Sequence, residues 1–413
     1  MKDSGIPWVG EIPEDWETRR LKYLLSERNS RTATGDEELL SVSIHDGVVP
    51  SRYIRERTSL ASSLVGYKHV LIGDMVFNKL NPNMARFAYS EYEGITSPDF
   101  AVYYPKEPIS VDMRFLTYLI RTPLYVERIK QLTSGVGEGF ARLYTPDLFG
   151  IAIGLPLLDE QQRIADFLDT RCGEIDAVKQ TLSDEIEALQ RFRKAMIDKA
   201  FSKDWKKCHL GFLINDIRTG LNPRDNFKLN TPDAENYYVT IREMVDGWHI
   251  RPTEKTDLVN DEALRLIANR SHLRVGDVLV SGTASIGKTA LVSEEPINWN
   301  IKEGIYAVTT DGYRLIPEFL IYWIGSTDAV QQLELYRRGS TVESVTMDKF
   351  CKLNIPYVDI IEQQQIVDYL DERCAAIDSV IETRTKQLER LEDYRKALVF
   401  AYVTGKKEVP AHE

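Results

Sequence analysis

Apolar side chains return every seventh residue along two stretches of this chain, each long enough for a helix of about 40 residues. In the first stretch Leu168, Ile175, Leu182, Leu189 and Met196 form the stripe, with Ala165, Cys172 and Ile186 beside it. In the second, Leu370, Ile377, Leu391 and Leu398 do so, with Val367, Cys374, Ile381 and Leu388 beside them. A seven-residue period held this long predicts coiled-coil helices rather than the surface helices of a globular domain. Lys179 and Arg384 interrupt the seams. Pro156 and Pro356 stand before the two stretches and mark the exit from a globular part.

The rest of the chain follows another rhythm. Runs rich in β-branched and aromatic residues, His69 to Phe77, Phe100 to Tyr104, Val275 to Ser281 and Glu303 to Val308, are separated by clusters of Gly, Asn, Asp and Pro. That predicts strands joined by loops. A short helix is expected in each half, over Met113 to Arg121 and Pro317 to Ile324. The pattern as a whole predicts an α+β chain in which two globular α/β portions alternate with two long helices.

The halves are copies of each other. EQQRIADFLDTRCGEIDAV, Glu160 to Val178, returns as EQQQIVDYLDERCAAIDSV, Glu362 to Val380, and FRKA at Phe192 to Ala195 returns in register as YRKA at Tyr394 to Ala397. Asp15-Trp16 matches Asp204-Trp205, Gly73-Asp74 matches Gly276-Asp277, and Thr145 to Phe149 matches Thr346 to Phe350. So long a period excludes a solenoid, whose units run to about 20–50 residues. Between these anchors the halves hardly agree. A framework that is kept, carrying globular parts that are not, implies two different ligands held at a fixed separation.

Composition adds bounds. A chain of 413 residues can bury more than one core. No apolar run approaches the ~18–20 residues of a membrane span, and the first residues lack the basic and apolar regions of a signal peptide, so a cytoplasmic protein without a membrane partner is expected. Four cysteines with no CxxC or Cys/His ligand spacing predict neutral thiols and no metal site. The formal net charge of −11 counts only weakly against a nucleic-acid partner, because binding depends on where the basic residues cluster.

Candidate chemistry begins with GTASIGKT, Gly282 to Thr289, which satisfies the phosphate-loop pattern G-x-x-x-x-G-K-S/T. That chemistry needs a helix starting at the Lys-Thr, whereas the residues that follow read as another strand. A hairpin presenting Thr283, Ser285 and Lys288 fits better. Asn81-Pro82-Asn83-Met84 lacks the second Pro and the aromatic of an amino-methyltransferase loop, and the six histidines form no cluster, so no catalytic residue is expected. What the halves share is polar, basic loops of the kind that contact phosphates and base edges. In the first half these offer Lys79, Asn81, Asn83, Arg86, Arg142 and Tyr144; in the second, Asn222, Arg224, Thr283, Ser285, Lys288, Arg337, Arg338, Ser340 and Thr341.

At this point the chain resembles the specificity subunits of type I restriction-modification systems. The resemblance rests on the opening Ile6 to Leu24, the strand and SIGK loop ending at Lys288, the closings Ile153 to Asp169 and Leu353 to Asp371, and the VTGK ending, Val403 to Lys406. It departs in lacking SIGK in the first half and in two extra residues, Ile360 and Ile361, in the second linker. It implies an N-terminal segment (1–20), a target recognition domain (21–153), a spacer helix (154–206), a second target recognition domain (207–353), and a second spacer helix with the tail (354–413). The helices would pair as an antiparallel coiled coil with pseudo-twofold symmetry. Each domain would read half of a split site in double-stranded DNA. Partners implied are two methyltransferase subunits, which bring S-adenosylmethionine, and two motor-nuclease subunits, which bring ATP and Mg; no cofactor is expected on this chain. The alternative is a non-enzymatic coiled-coil scaffold joining two protein-binding domains.

Overall fold

The computed structural model describes residues 1–43, 47–54, 63–79, 87–108, 110–133, 142–338 and 343–410. They divide into two units, Met1–Ser183 with Lys386–Glu413, and Asp184–Thr385, so each unit holds one globular portion and one end of each long helix.

The first unit is built on a four-stranded antiparallel sheet in the order Leu25–Glu27, Phe100–Pro105, Met75–Asn78, Phe87–Tyr89. The second repeats that order with Ile214–Thr219, Ile305–Thr310, Val278–Ser281 and Thr289–Leu291. Side chains alternate between faces, and here both faces are covered. Met75 and Phe77 enter one core cluster while Val76 enters another; Val278 and Val280 enter one while Leu279 enters another. Burial on both sides is why these strands read as continuous apolar runs.

The runs His69 to Phe77 and Val275 to Ser281 are shorter strands than expected. The first splits into Lys68–Val70 and Met75–Asn78. At the breaks Gly73 and Gly276 take φ of +91° and +89°, which side-chain-bearing residues rarely adopt. The aspartate that follows each glycine is buried and closes the turn. Asp74 Oδ2 accepts from the Leu71 N–H at 2.9 Å, and Asp277 Oδ2 from the Arg274 N–H at 2.9 Å. Each also meets an arginine at the edge strand two places across the sheet: Arg28 Nε, just past Leu25–Glu27, lies 2.7 Å from Asp74, and Arg218 Nη2 lies 2.8 Å from Asp277.

The other sheet face is where the units diverge. The first carries the hairpin Leu40–Ser43 with Gly47–Pro50, and the pair Lys68–Val70 with Gly94–Thr96. The second carries Leu258–Val259, Asn236–Val239 and Trp299–Ile301, the last two parallel, and the helix Asp261–Ser271, capped by the Asn260 side chain on the Ala263 N–H.

Helices form at Met113–Ile120 and Pro317–Ile324, where the pattern predicts them. A second helix follows each, Pro123–Leu132 and Thr327–Tyr336, which the pattern did not suggest. Pro123 and Gly325-Ser326 are residue types common in loops. In the structure Pro123 opens a helix, where its missing N–H costs nothing, and the Ser326 side chain caps the next one.

The long helices span Leu158–Ala200 and Ile360–Val403. A buried glutamine anchors the start of each. Gln161 donates to Pro156 O and accepts from the Asp112 N–H ahead of helix Met113–Ile120; Gln363 donates to Val358 O and Arg314 O and accepts from the Ile316 N–H ahead of helix Pro317–Ile324. This fixes the register from the helix side. Ile360 and Ile361 are therefore helical residues rather than an insertion, and the extra linker length falls between Pro356 and Val358. Tyr118 and Tyr322 repeat the theme, donating to Asp169 and Asp371 at 2.8 and 2.7 Å.

Within the first unit the Phe167 and Tyr402 rings meet at 4.6 Å, Lys179 pairs with Glu392 at 2.6 Å, and Arg395 lies 3.5 Å from Asp176. Within the second, Arg193 pairs with Asp378 and Arg384 with Glu185, both at 2.9 Å, and Met196 shares a core with Leu370 and Ile377. Leu168, Ile175 and Leu182 are also buried, whereas Leu189, Leu388, Leu391 and Leu398 are half-buried. The two seam cations thus have carboxylate partners. Burial pushes the Cys172 and Cys374 thiols up, keeping them protonated. Among the described residues no helix is long and apolar enough to cross a membrane.

Candidate nucleic-acid interface

In each unit the candidate loops issue from one end of the four-stranded sheet. The antiparallel register brings the end of Met75–Asn78 beside the start of Phe100–Pro105, and the end of Val278–Ser281 beside the start of Ile305–Thr310. Lys79 leaves the first of these ends, and the residues Gly282 to Lys288 leave the second.

In the first unit the ends are held by charge. Glu27 Oε1 accepts from Lys68 Nζ at 3.0 Å and Lys79 Nζ at 3.2 Å, and Glu27 Oε2 accepts from Thr145 Oγ1 at 2.7 Å. Thr145 spends its proton there, so the Tyr103 hydroxyl, 3.1 Å away, donates to it. The Lys68 side chain is 4% exposed and that of Lys79 20%. Burial works against the Glu27 charge, yet Thr145, Lys68 and Lys79 together hold its carboxyl below the ordinary range; burial also lowers Lys68. Arg142 lies 3.4 Å from Asp99, just ahead of strand Phe100–Pro105, and Tyr144 is exposed. Asn81, Asn83 and Arg86 lie outside the described residues.

In the second unit main-chain bonds do the same work. The hairpin Val278–Ser281 with Thr289–Leu291 closes through the Ser281 N–H on Lys288 O and the Gly287 N–H on Ser281 O, both 2.8 Å. GTASIGKT is therefore a strand connection with no helix start behind its lysine. The Val345 N–H donates to Gly282 O at 2.9 Å, and Thr283 and Arg338 both bridge to Ser344. Tyr306 lies across this junction: its hydroxyl donates to Val345 O at 2.7 Å, and a Cβ on Gly282 would lie 2.3 Å from its ring. The Gly282 N–H donates to Gly304 O, and Asn222 donates to the neighbouring Glu303. Four sequence-distant segments thus converge.

The cations at this end differ in freedom. Lys288 Nζ donates to Ile241 O at 3.1 Å, and Arg337 is occupied by Glu334 at 2.9 Å and Glu343 at 2.7 Å. Arg224 and Arg338 are exposed, as is Ser285. Ser340 and Thr341 lie outside the described residues. Sequence reasoning passed over Glu27, Lys68 and Glu303, the acids and base behind the loops. A lone Glu in a short strand gives no signal of its own.

Against known proteins, the model of the type I restriction modification DNA specificity domain matches residues 13–188 and 249–390, most of the chain. A putative type I restriction enzyme MjaX specificity subunit of Methanocaldococcus jannaschii is 23% identical, over 97% of this chain and 96% of the relative. The type I restriction enzyme EcoBI specificity subunit of Escherichia coli is 26% identical, over 67% of this chain and 62% of the relative. A chain from a solved structure concerned with complex assembly and conformational transition of the type I R-M system superposes with a TM-score of 0.66 at 18% identity, covering 96% of this chain and all of that one, which places the fold.

Proposed function

Because the chain belongs to the type I restriction modification DNA specificity family, we propose that its two units each read one half of a bipartite site in double-stranded DNA, through 21–153 and 207–353. As a specificity subunit it recognises DNA and leaves catalysis to other subunits. The observation that carries the two-reader assignment is the repeated sheet whose same end bears unmatched polar loops in the two units. A kept frame with changed loops is what two different half-sites require.

The long helices, within 154–206 and 354–413, act as the spacer, paired as an antiparallel coiled coil. Support comes from the contacts inside each unit, where the first half of one helix meets the second half of the other: Asp176 with Arg395, and Arg193 with Asp378. Two methyltransferase subunits dock on this spacer and supply S-adenosylmethionine, and two motor-nuclease subunits supply ATP and Mg for cleavage, all in the cytoplasm. Recognition of one half-site rests on Asn81, Asn83, Arg86 and Arg142 and of the other on Asn222, Arg224, Lys288 and Arg338, with Lys79, Tyr144, Thr283, Ser285, Arg337, Ser340 and Thr341 completing the two DNA-contacting surfaces. Mapping methylated adenines on DNA exposed to the assembled methyltransferase tests this. Two unlike half-sequences at a fixed gap are expected, and one contiguous site would contradict it.

A further inference from the structure

Glu27 holds Lys79 and Thr145, described residues at the edges of the two candidate loop segments of the first unit, without belonging to either segment. Its Oε1 holds Lys79, where one loop begins, and its Oε2 holds Thr145, where the segment carrying Arg142 and Tyr144 ends. The side chain of Glu27 is 17% exposed and both its oxygens are occupied, so it has little left to offer a base. Lys68 is nearly buried and stays with Glu27, but Lys79 is the more exposed of the two lysines and sits at the loop end. A phosphate oxygen and a carboxylate oxygen are rivals for the same ammonium. In the second unit Ile217 precedes Arg218 where Glu27 precedes Arg28, the nearby Glu303 accepts from Asn222, and among the described residues the loop ends are joined by main-chain bonds.

We propose that Glu27 is a specificity-determining positioning residue of the first reader, an internal rival that keeps the Lys79 ammonium from DNA phosphates until a matching half-site seats against this end of the sheet. Seating supplies the phosphate in the one geometry that displaces Glu27 from Lys79, while Lys68 and Thr145 keep the carboxylate satisfied. Non-matching DNA leaves Lys79 paired, so the sequence-independent part of binding is held down. This rests on the two-reader assignment and adds to it the residue that sets the contrast between right and wrong DNA.

The test uses the full chain assembled with its methyltransferase partner and three duplexes: matched, first half scrambled, second half scrambled. Binding is measured across a salt series. Glu27→Gln should tighten binding to the duplex with the first half scrambled, narrowing its gap to the matched duplex about tenfold and steepening the salt dependence by about one ion. The gap for the second half should not move. Lys79→Met keeps the Glu27, Lys68 and Thr145 contacts, and it should weaken matched binding, flatten the salt slope by about one, and abolish the effect of Glu27→Gln in the double variant. A merely structural Glu27 would instead weaken all duplexes alike, and that result, or a Lys79→Met protein with unchanged affinity and slope, overturns the proposal. If the unaltered protein discriminates neither scrambled duplex, the two-reader assignment itself falls.

Discussion

The first unit joins its loop ends with a cluster of charged side chains, Glu27 with Lys68, Lys79 and Thr145, and the second joins its own with main-chain bonds across Gly282, Ser344 and Val345 under Tyr306. Beyond a glycine at 282 under the Tyr306 ring, main-chain bonds ask little of the loop side chains, so most of the second unit's loop positions can change sequence while keeping their anchorage. The Glu27 cluster fixes four side chains and must offset the burial of Lys68, so it ties anchorage to charge state. The same fold thus supports two ways of holding a variable surface, and they answer differently to perturbation.

The largest effect is expected at the Arg–Asp pairs common to both units. Arg218→Ala strands Asp277, whose side chain is fully buried, and should cost the second unit about 3–5 kcal/mol in denaturant unfolding. Arg28→Ala should cost the first unit less, because Arg28 is 21% exposed and water can reach the site. Equal losses would break the claim that the Arg218–Asp277 pair is the more tightly sealed of the two.

Next come the glutamines. Gln161→Leu orphans Pro156 O and the Asp112 N–H, and Gln363→Leu orphans three main-chain groups, and because these groups lie at a helix start that water can reach once the amide is gone, each substitution should cost about 1–3 kcal/mol in all. Thermal unfolding should therefore rank Gln363→Leu as the more damaging, and the reverse ranking would undo the account of how the helix starts are anchored.

Acid should separate the units. The Glu27 carboxyl is held below the ordinary range with Lys68 and Lys79 against it and Arg31 near Lys68, so its contribution is present above the unfolded value and lost as pH falls through the lower folded one. In that window amide exchange at Thr145–Gly150 should quicken more than at Met347–Cys351, where acid loosens only the exposed Asp348–Lys352 pair. Equal quickening at both would mean that the loop anchorage does not differ between the units.

The smallest effects belong to the seam cations. Lys179→Ala and Arg384→Ala should each cost about 0–1 kcal/mol, and less in high salt, because both pairs are reached by water. A larger loss would give these pairs a role in helix register.

Much of the frame was legible in the chain. The heptads placed both long helices, since a seven-residue period over four turns or more has no other simple reading, and the apolar runs placed the central strands. The cuts at Gly73 and Gly276 could have been read from the Gly-Asp dipeptides, whose carboxylates close a turn on the N–H three residues back. The helices Pro123–Leu132 and Thr327–Tyr336 were hidden because their first residues are also loop formers. The convergence of Asn222, Thr283, Glu303 and Ser344 is a product of strand register over more than a hundred positions, and local composition does not encode it. Glu27 escaped for the same reason, as its three partners lie 41, 52 and 118 residues away.

The central claim is that each unit reads its own half of one DNA site. Exchanging residues 207–353 for the equivalent portion of a relative, then mapping methylated adenines made by the assembled methyltransferase, tests it most directly. The account predicts that one half-sequence changes, while the other half and the gap between them stay as they were. A change in both halves, or in neither, would contradict it.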